Sequence, residues 1–261
     1  MIYTYCAKSD TGRTRDNNED SVAIDEETRL VVLADGMGGY NAGEVASAMA
    51  TERIQTELGR WLSEAGPVAG CSAVRQAMQA CVDSANLAIF EAANSTPSYA
   101  GMGTTVVVAV FRDDALVLGH IGDSRCYRLR AGKLEQITHD HSLLQEQLDA
   151  GLITPAQAEH SHIKNLVTRA LGVEAVVLTE VKEHAVEPGD LYLLCSDGLS
   201  DMLNDATIAD ILRAETGLER QTEALVDAAN DHGGRDNISV LMVAVNKCPE
   251  KRGLIARLLG K

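Results

Sequence analysis

The amino-acid sequence predicts an α+β fold, an antiparallel sheet system with pairs of helices packed outside it. Three observations carry this expectation. Apolar stretches of strand length occur in runs, not singly between helices. The order is strands, two helices, many strands, two helices and a last strand, unlike the regular β-α-β-α alternation of a nucleotide-binding α/β fold. Turn-like links such as "RDDA" (112–115) and "GDSR" (122–125) join neighbouring strands, which suits antiparallel neighbours.

Taken in order, residues 2–8, 21–25 and 29–34 are short, rich in β-branched or apolar residues, and bounded by polar turns, so they read as strands. From Asn41 the period changes. Val45, Met49, Ile54, Leu58 and Trp61 or Leu62 recur at helical spacing to about residue 63. A second helix spans about 69–93, with Val74, Met78, Cys81, Ala85 and Ile89 on one face. Strands return at 104–112, 115–122 and 125–132. A further strand pair, 178–186 and 191–196, flanks "EPGD" (187–190). Helices at 205–214 and 218–231 precede a final strand at 237–245.

The stretch 139–172 interrupts the sheet pattern. Ser142 or Asp140 can cap a helix that Gly151 ends. Thr154, Pro155 and Gln157 supply the cap, first-turn proline and capping-box partner of another. The reading is a helical flap at about 140–170, with a plain connecting subdomain as the alternative. No Pro/Gly/Ser linker divides the chain, so 1–246 is expected to be a single domain. Residues 247–261 form a basic, amphipathic tail, read as a short helix packed on the domain or as a weak docking or membrane-surface element.

Composition narrows the function. At 45% apolar the chain is an ordinary globular one, with 3% aromatics and hence an aliphatic core. A net charge of −15 argues against nucleic acid and anionic membrane as main partners. It makes sense if some acids surround bound cations. Cys6, Cys71, Cys81, Cys126, Cys195 and Cys248 include no C-x-x-C pair, which fits reduced thiols in a cytosolic protein. No window approaches the ~18 apolar residues of a membrane span, and the N-terminus lacks a signal-peptide core.

Acids recur at strand ends. "RLVVLADG" leads to Asp35, "LVLGHIGD" to Asp123 and "LYLLCSDG" to Asp197; Asp236 in "GGRDN", and Glu19 and Asp20 in "NNED", stand just before strands. Carboxylates gathered where sheets converge cannot all stay ionised without compensation. Lysine is nearly absent from these loops. A divalent cation is the natural compensation, and oxygen-only ligands select Mg²⁺ or Mn²⁺. The simpler reading treats each acid as a turn former or helix cap.

Other site types fit less well. "GMGGYNAGE" lacks both the G-K-[ST] ending of a phosphate loop and the G-x-G-x-x-G spacing of a dinucleotide site. The pairs His139/His141 and His160/His162 have no cysteine pair or H-E-x-x-H beside them, so zinc is not expected. They read as exposed flap residues, with one of them near a substrate phosphate as the alternative. Arg15 precedes Glu19 by four residues, about 13 Å if extended, and a bend at Asn17–Asn18 would bring the two closer. A guanidinium beside an acid cluster suggests a phosphorylated substrate, with a surface arginine paired to nearby acids as the alternative.

Eight stretches, in order along nearly the whole chain, resemble the metal-dependent serine/threonine protein phosphatases of the protein phosphatase 2C type, bacterial branch. They are "GRTRDNNEDS" (12–21), "VVLADGMGGYNAGEVAS" (31–47), "GMGTTVVV" (101–108), "GHIGDSRCYRLR" (119–130), "ITHDHSL" (137–143), "NLVTRALG" (165–172), "LLCSDGLSDML" (193–203) and "GGRDNISVLMV" (233–243). The resemblance implies a central β-sandwich flanked by helices on both sides, with a mobile flap near the site. It implies two Mn²⁺ or Mg²⁺ ions. Asp35 would bridge them, Gly36 would offer its carbonyl, and Asp197 and Asp236 would complete the set. Glu19 matches a position acting through metal-bound water, with Asp20 beside it, and Arg15 matches the phosphate-binding arginine. Asp123 and Asp201, with Asp197, match a third, weaker metal site; Asn237 and Ser196 would be supporting residues. Met37 stands where eukaryotic members often carry a histidine proposed as general acid, and it cannot donate a proton.

The implied reaction is hydrolysis of phosphoserine and phosphothreonine in proteins by a metal-bridged water, opposing a bacterial Ser/Thr kinase, in a cytoplasmic monomer. Rival readings are a non-catalytic phosphoprotein-binding module and a structural calcium-binding domain. Cys195, near Asp197, reads as core.

Overall fold

Val31, Val32, Leu33 and Ala34 are all fully buried, and so is every residue from Val106 to Phe111. Successive side chains of a strand point to opposite faces, so a sheet built from these strands must be covered on both sides. A computed structural model of the chain, describing residues 1–38, 42–154, 157–158 and 166–247, shows how.

The strands are β1 (Ile2–Asp10), β2 (Asp20–Asp25), β3 (Leu30–Met37), β4 (Gly103–Thr104), β5 (Val106–Phe111), β6 (Ala115–Ile121), β7 (Arg125–Arg130), β8 (Lys133–Gln136), β9 (Glu180–Ala185), β10 (Leu191–Cys195) and β11 (Ile238–Asn246). The helices are α1 (Gly43–Ala65), α2 (Cys71–Ser95), α3 (Leu143–Asp149), the single turn α4 (Asp197–Ser200), α5 (Asp205–Ala214) and α6 (Leu218–Asp231). One sheet has the order β1-β11-β10-β7-β8; the other runs β2-β3-β5-β6-β9, with β4 paired to β3. Every ladder between named strands is antiparallel.

Period-two alternation divides the core into three layers. Leu30, Val32 and Ala34, with Val106, Val108 and Val110, pack under α1 and α2 against Ile54, Leu58, Met78 and Ile89. Val31 and Leu33, with Val107, Ala109 and Phe111, face Tyr192, Leu194, Leu241 and Val243 of the other sheet. Leu193, Cys195, Val240 and Met242 lie on that sheet's far face against Ile208, Leu212, Leu225 and Val226 of α5 and α6. Each such aliphatic side chain contributes roughly 1.5–3 kcal/mol by leaving water. The result is the expected sandwich between two helix pairs, and Cys195 is core as expected.

Two expected hairpins are corrected. "GDSR" leaves β6 in one sheet and enters β7 in the other, and "EPGD" likewise joins β9 to β10 across the sandwich. The expected strand 104–112 is divided at Thr105 into β4 and β5, which pair β3 in one register, with Thr105 N–H donating to Asp35 O at 2.9 Å between them. Strand β8 was not expected. Ala131 and Gly132 turn the chain with φ of +47° and +78°, and Arg130 pairs Lys133, the geometry of a two-residue hairpin.

At the flap, Ser142 Oγ accepts from Gln145 N–H at 3.3 Å and caps α3. Thr154 and Gln157 form the expected capping box: Thr154 N–H donates to Gln157 Oε1 at 2.8 Å and Gln157 N–H to Thr154 Oγ1 at 3.3 Å. Pro155, His160 and His162, and the tail beyond Lys247, lie outside the described residues. No described helix is long and apolar enough to cross a membrane. Cys6, Cys71, Cys81, Cys126 and Cys195 are free thiols.

Candidate metal centre

At one rim the sandwich interior turns from apolar to polar. The inward row Val31, Leu33 on β3 continues to Asp35. Asp20 begins β2 directly opposite Asp35 in the ladder. From the other sheet, Ser196 follows β10 and donates its hydroxyl to Asp20 Oδ2 at 2.8 Å. Ser239 N–H donates to Ser196 Oγ at 2.9 Å, and Ser9 and Ser239 share a 2.8 Å hydroxyl bond. Four elements then deliver acids to this rim: β3 carries Asp35, the β6–β7 crossing Asp123, α4 Asp197 and the approach to β11 Asp236.

One pocket of about 220 Å³ is lined by Arg15, Glu19, Asp35, Gly36, Met37, Asp123, Val167, Asp197 and Asp236, among others. The residues expected to cluster therefore do so. Asp201 is set apart: it lines an adjoining cavity of about 560 Å³ under α3, whose wall shares Asp123 and Asp197. Asn237 stands behind the acids as expected. Its Oδ1 accepts from Glu19 N–H at 2.8 Å, and its Nδ2 donates to Thr11 O and Asn17 O at 2.9 and 2.8 Å. This ties the loop carrying Arg15 and Glu19 to the start of β11. Gly36 is where β3, the Glu19 loop and the first turn of α1 touch; a Cβ there would overlap Gly43 O and Glu19 O, so only glycine fits.

The electrostatics are those of an acid cluster short of positive charge. Desolvation, then the neighbouring aspartates, pushes Asp35 and Asp197 well above the usual carboxylate range. Both keep some surface open to the pocket but are enclosed enough for burial to dominate. Asp20 and Asp123 are each pushed up to about 7, again chiefly by burial. Asp20 Oδ1 is buried without a hydrogen-bond partner. Arg15 is the one basic residue among the described lining residues. It is half exposed and holds Asp236 Oδ2 at 2.6 Å, a single cation beside the five lining acids Glu19, Asp35, Asp123, Asp197 and Asp236. Hard oxygen donors, an orphaned carboxylate oxygen and this excess of negative charge fit divalent cations of the Mg²⁺ or Mn²⁺ kind.

Sequence reasoning missed the residues that hold Asp35 in place. Asp35 N–H donates to Thr105 Oγ1 at 3.1 Å, Thr104 Oγ1 donates to Asp35 O at 2.8 Å, and Thr105 Oγ1 shares a 2.7 Å bond with Ser124 Oγ. The signal was a polar pair opening the otherwise apolar run 104–111. His141 corrects another expectation. It is not an exposed flap residue but 5% exposed, stacked on His120 with ring centroids 4.8 Å apart. His139 is exposed, with Nε2 2.7 Å from Asp149 Oδ2.

Comparison with known proteins finds relatives that match most of the chain. The protein phosphatase 2C family model matches residues 12–238. The serine/threonine phosphatase Stp of Listeria innocua is 36% identical over 242 residues, covering 92% of this chain and 94% of that protein. The crystal structure of the Mycobacterium tuberculosis serine/threonine phosphatase PstP/Ppp superposes with a TM-score of 0.86 at 38% identity, covering 95% of this chain and all of that one. The PstP catalytic domain in complex with two manganese ions superposes with a TM-score of 0.83 at 38% identity, covering 94% of this chain and 99% of that one. With the match running from the Arg15 loop to the start of β11, the chain belongs to the bacterial branch of the protein phosphatase 2C family and is a metal-dependent protein serine/threonine phosphatase.

Proposed function

We propose that this chain hydrolyses phosphoserine and phosphothreonine in proteins at a pair of Mn²⁺ or Mg²⁺ ions held by Asp35, the Gly36 carbonyl, Asp197 and Asp236. The observation that carries the reading is that three aspartates far apart in sequence line one pocket with Arg15. Glu19 acts one solvent layer further out. Asp123 and Asp201, with Asp197, hold a third, weaker ion where the two cavities meet. Bound there, such cations would supply an acidified water as nucleophile and positive charge for the phosphoryl oxygens.

The chain's own groups do the rest. Arg15 presents a planar fork to the phosphoryl oxygens while Asp236 fixes its position. Asp20 and Asn237 back the lining residues from behind, held by Ser196 and the 11–19 loop. A water oxygen bonds to phosphorus as the P–O ester bond breaks, phosphate leaves, and the serine or threonine oxygen takes up a proton. Met37 lines the pocket but cannot donate one, so the proton comes from water in the pocket. The pocket contributes no cysteine or serine nucleophile from its described lining. In the cell the same reading has the chain act as a cytoplasmic monomer opposing a bacterial Ser/Thr kinase.

The test is a Mn²⁺-dependent assay on a Ser/Thr-phosphorylated protein. Chelation is expected to abolish turnover and Mn²⁺ to restore it. Asp35→Asn and Asp197→Asn are each expected to lose about 100-fold or more in kcat while remaining folded. Full activity in excess chelator, or near-normal turnover in both variants, overturns the reading.

A further inference from the structure

A second group of titratable side chains lies outside the pocket. His120 and Glu180 face each other across the β6–β9 ladder, and His141, at the base of the flap, stacks flat on His120 with an interplanar angle of 6°. One ligating atom from each lies within 4.8 Å of the others, a spacing that invites a cation. The hydrogen bonds point elsewhere. Gly122 N–H donates to His141 Nδ1 at 3.1 Å, so Nδ1 carries the lone pair and the proton of the neutral ring is on Nε2. Nε2 then has no lone pair to offer a metal. Lys182 Nζ sits 2.5 Å from Glu180 Oε1, and Arg169 adds positive charge at His141. Burial, then His120 and Arg169, lower His141 to about 4 against the opposing pull of Glu180, so the ring is neutral at ordinary pH.

What His141 holds is the turn before Asp123. Its ring Nδ1 accepts from Gly122 N–H, and its backbone N–H donates to Gly122 O at 2.9 Å. Its carbonyl accepts from Thr168 N–H at 2.8 Å, next to Val167 of the pocket wall. Gly122 has φ +102° and is pressed on Thr105, where a Cβ would meet Thr105 Cγ2 at 2.6 Å. Thr105 in turn bonds to Ser124 and to Asp35. Gly122 N–H belongs to the Ile121–Gly122 peptide and Gly122 O to the Gly122–Asp123 peptide, so His141 holds both peptides that lead into Asp123.

We propose that His141 is a positioning residue for Asp123: through Nδ1 it clamps the Gly122–Asp123 turn and joins the base of the flap to the cation-binding acids. This rests on Asp123 being a ligand of the weaker ion, as proposed above.

The experiment measures Mn²⁺ binding by isothermal titration calorimetry beside turnover of p-nitrophenyl phosphate across Mn²⁺ concentrations. His141→Leu removes the acceptor, while His141→Asn keeps an oxygen near the Nδ1 position. His141→Leu is expected to weaken the weakest Mn²⁺ site about 10-fold or more and to raise half-saturating Mn²⁺ in step, with kcat at saturating Mn²⁺ within about 3-fold of wild type. His141→Asn is expected to stay within about 3-fold in all three. Equal shifts in both variants, or none in either, overturn the proposal. In the wild-type chain, imidazole ¹⁵N spectra are expected to show the neutral Nε2–H tautomer of His141. The Nδ1–H tautomer, or a shift of both His120 and His141 resonances on adding Zn²⁺, overturns it even if His141→Leu fails to fold. Asp123→Asn is the control: if it leaves every Mn²⁺ site intact, the ligand role of Asp123 fails, while the tautomer result still judges the clamp.

Discussion

Asp20 and Asp35 stand directly opposite each other on β2 and β3, two carboxylates facing the same side of one ladder at the rim of the sandwich. Like charges so placed repel, and burial raises the pKa of both. A folded-state pKa above the unfolded value means the folded chain holds the proton more tightly. Stability from that proton is complete below about pH 4 and is lost as pH rises toward the folded value.

The Asp20→Asn chain should therefore be more stable than wild type when metal-free. The new amide keeps an oxygen for the Ser196 hydroxyl and removes the charge. With Asp20 pushed up to about 7, the gap should be widest at pH 7.5 to 8 and close as pH falls toward 4. A gap of roughly 1–3 kcal/mol corresponds to several degrees in Tm. Thermal melts in chelator across this pH range check it, and a variant less stable than wild type at pH 8 contradicts it. In Mn²⁺ the order should reverse.

Arg15→Ala should lower kcat/KM for phosphoprotein by about 100-fold while Mn²⁺ affinity changes by less than about 5-fold. Arg15→Lys should recover only part of this, because an ammonium lacks the fork that spans Asp236 and a phosphoryl group. Steady-state kinetics beside Mn²⁺ calorimetry separate substrate binding from metal binding. An unchanged kcat/KM removes Arg15 from the phosphate site.

Thr105→Val keeps the shape of a fully enclosed side chain but deletes its hydroxyl. It leaves the Asp35 N–H and the Ser124 hydroxyl without their shared partner, at a cost of about 1–3 kcal/mol. Urea denaturation should register this loss. Turnover should fall as well, because the Asp35 backbone loses one of its fixings. Wild-type values for both would show that the hydroxyl network is dispensable.

Much of this was legible before any coordinates. Runs such as "RLVVLADG" carry their own reading, since an apolar stretch of strand length that ends in a carboxylate and glycine must leave a core at that point. Thr154 and Gln157 announced their capping box because a cap is a contact between near neighbours in sequence. The turns "GDSR" and "EPGD" misled for the opposite reason. A short polar link looks alike whether it folds a strand back beside its predecessor or carries it across about 10 Å to a facing sheet. His141 misled too, because nothing in "HDHS" shows that the ring of His120 waits to cover it.

By itself, the sequence determined most of the strands and helices, though not β8, together with the acids at strand ends whose number calls for cations. Only the tertiary structure decided that β6 and β10 release Asp123 and Asp197 at the same rim as Asp35, that Arg15 lies on Asp236, and that Thr105 and His141 hold the turns between them. Local spacing along a chain is written in its residue order; the meeting of two sheets depends on how their faces pack, and no single stretch contains that.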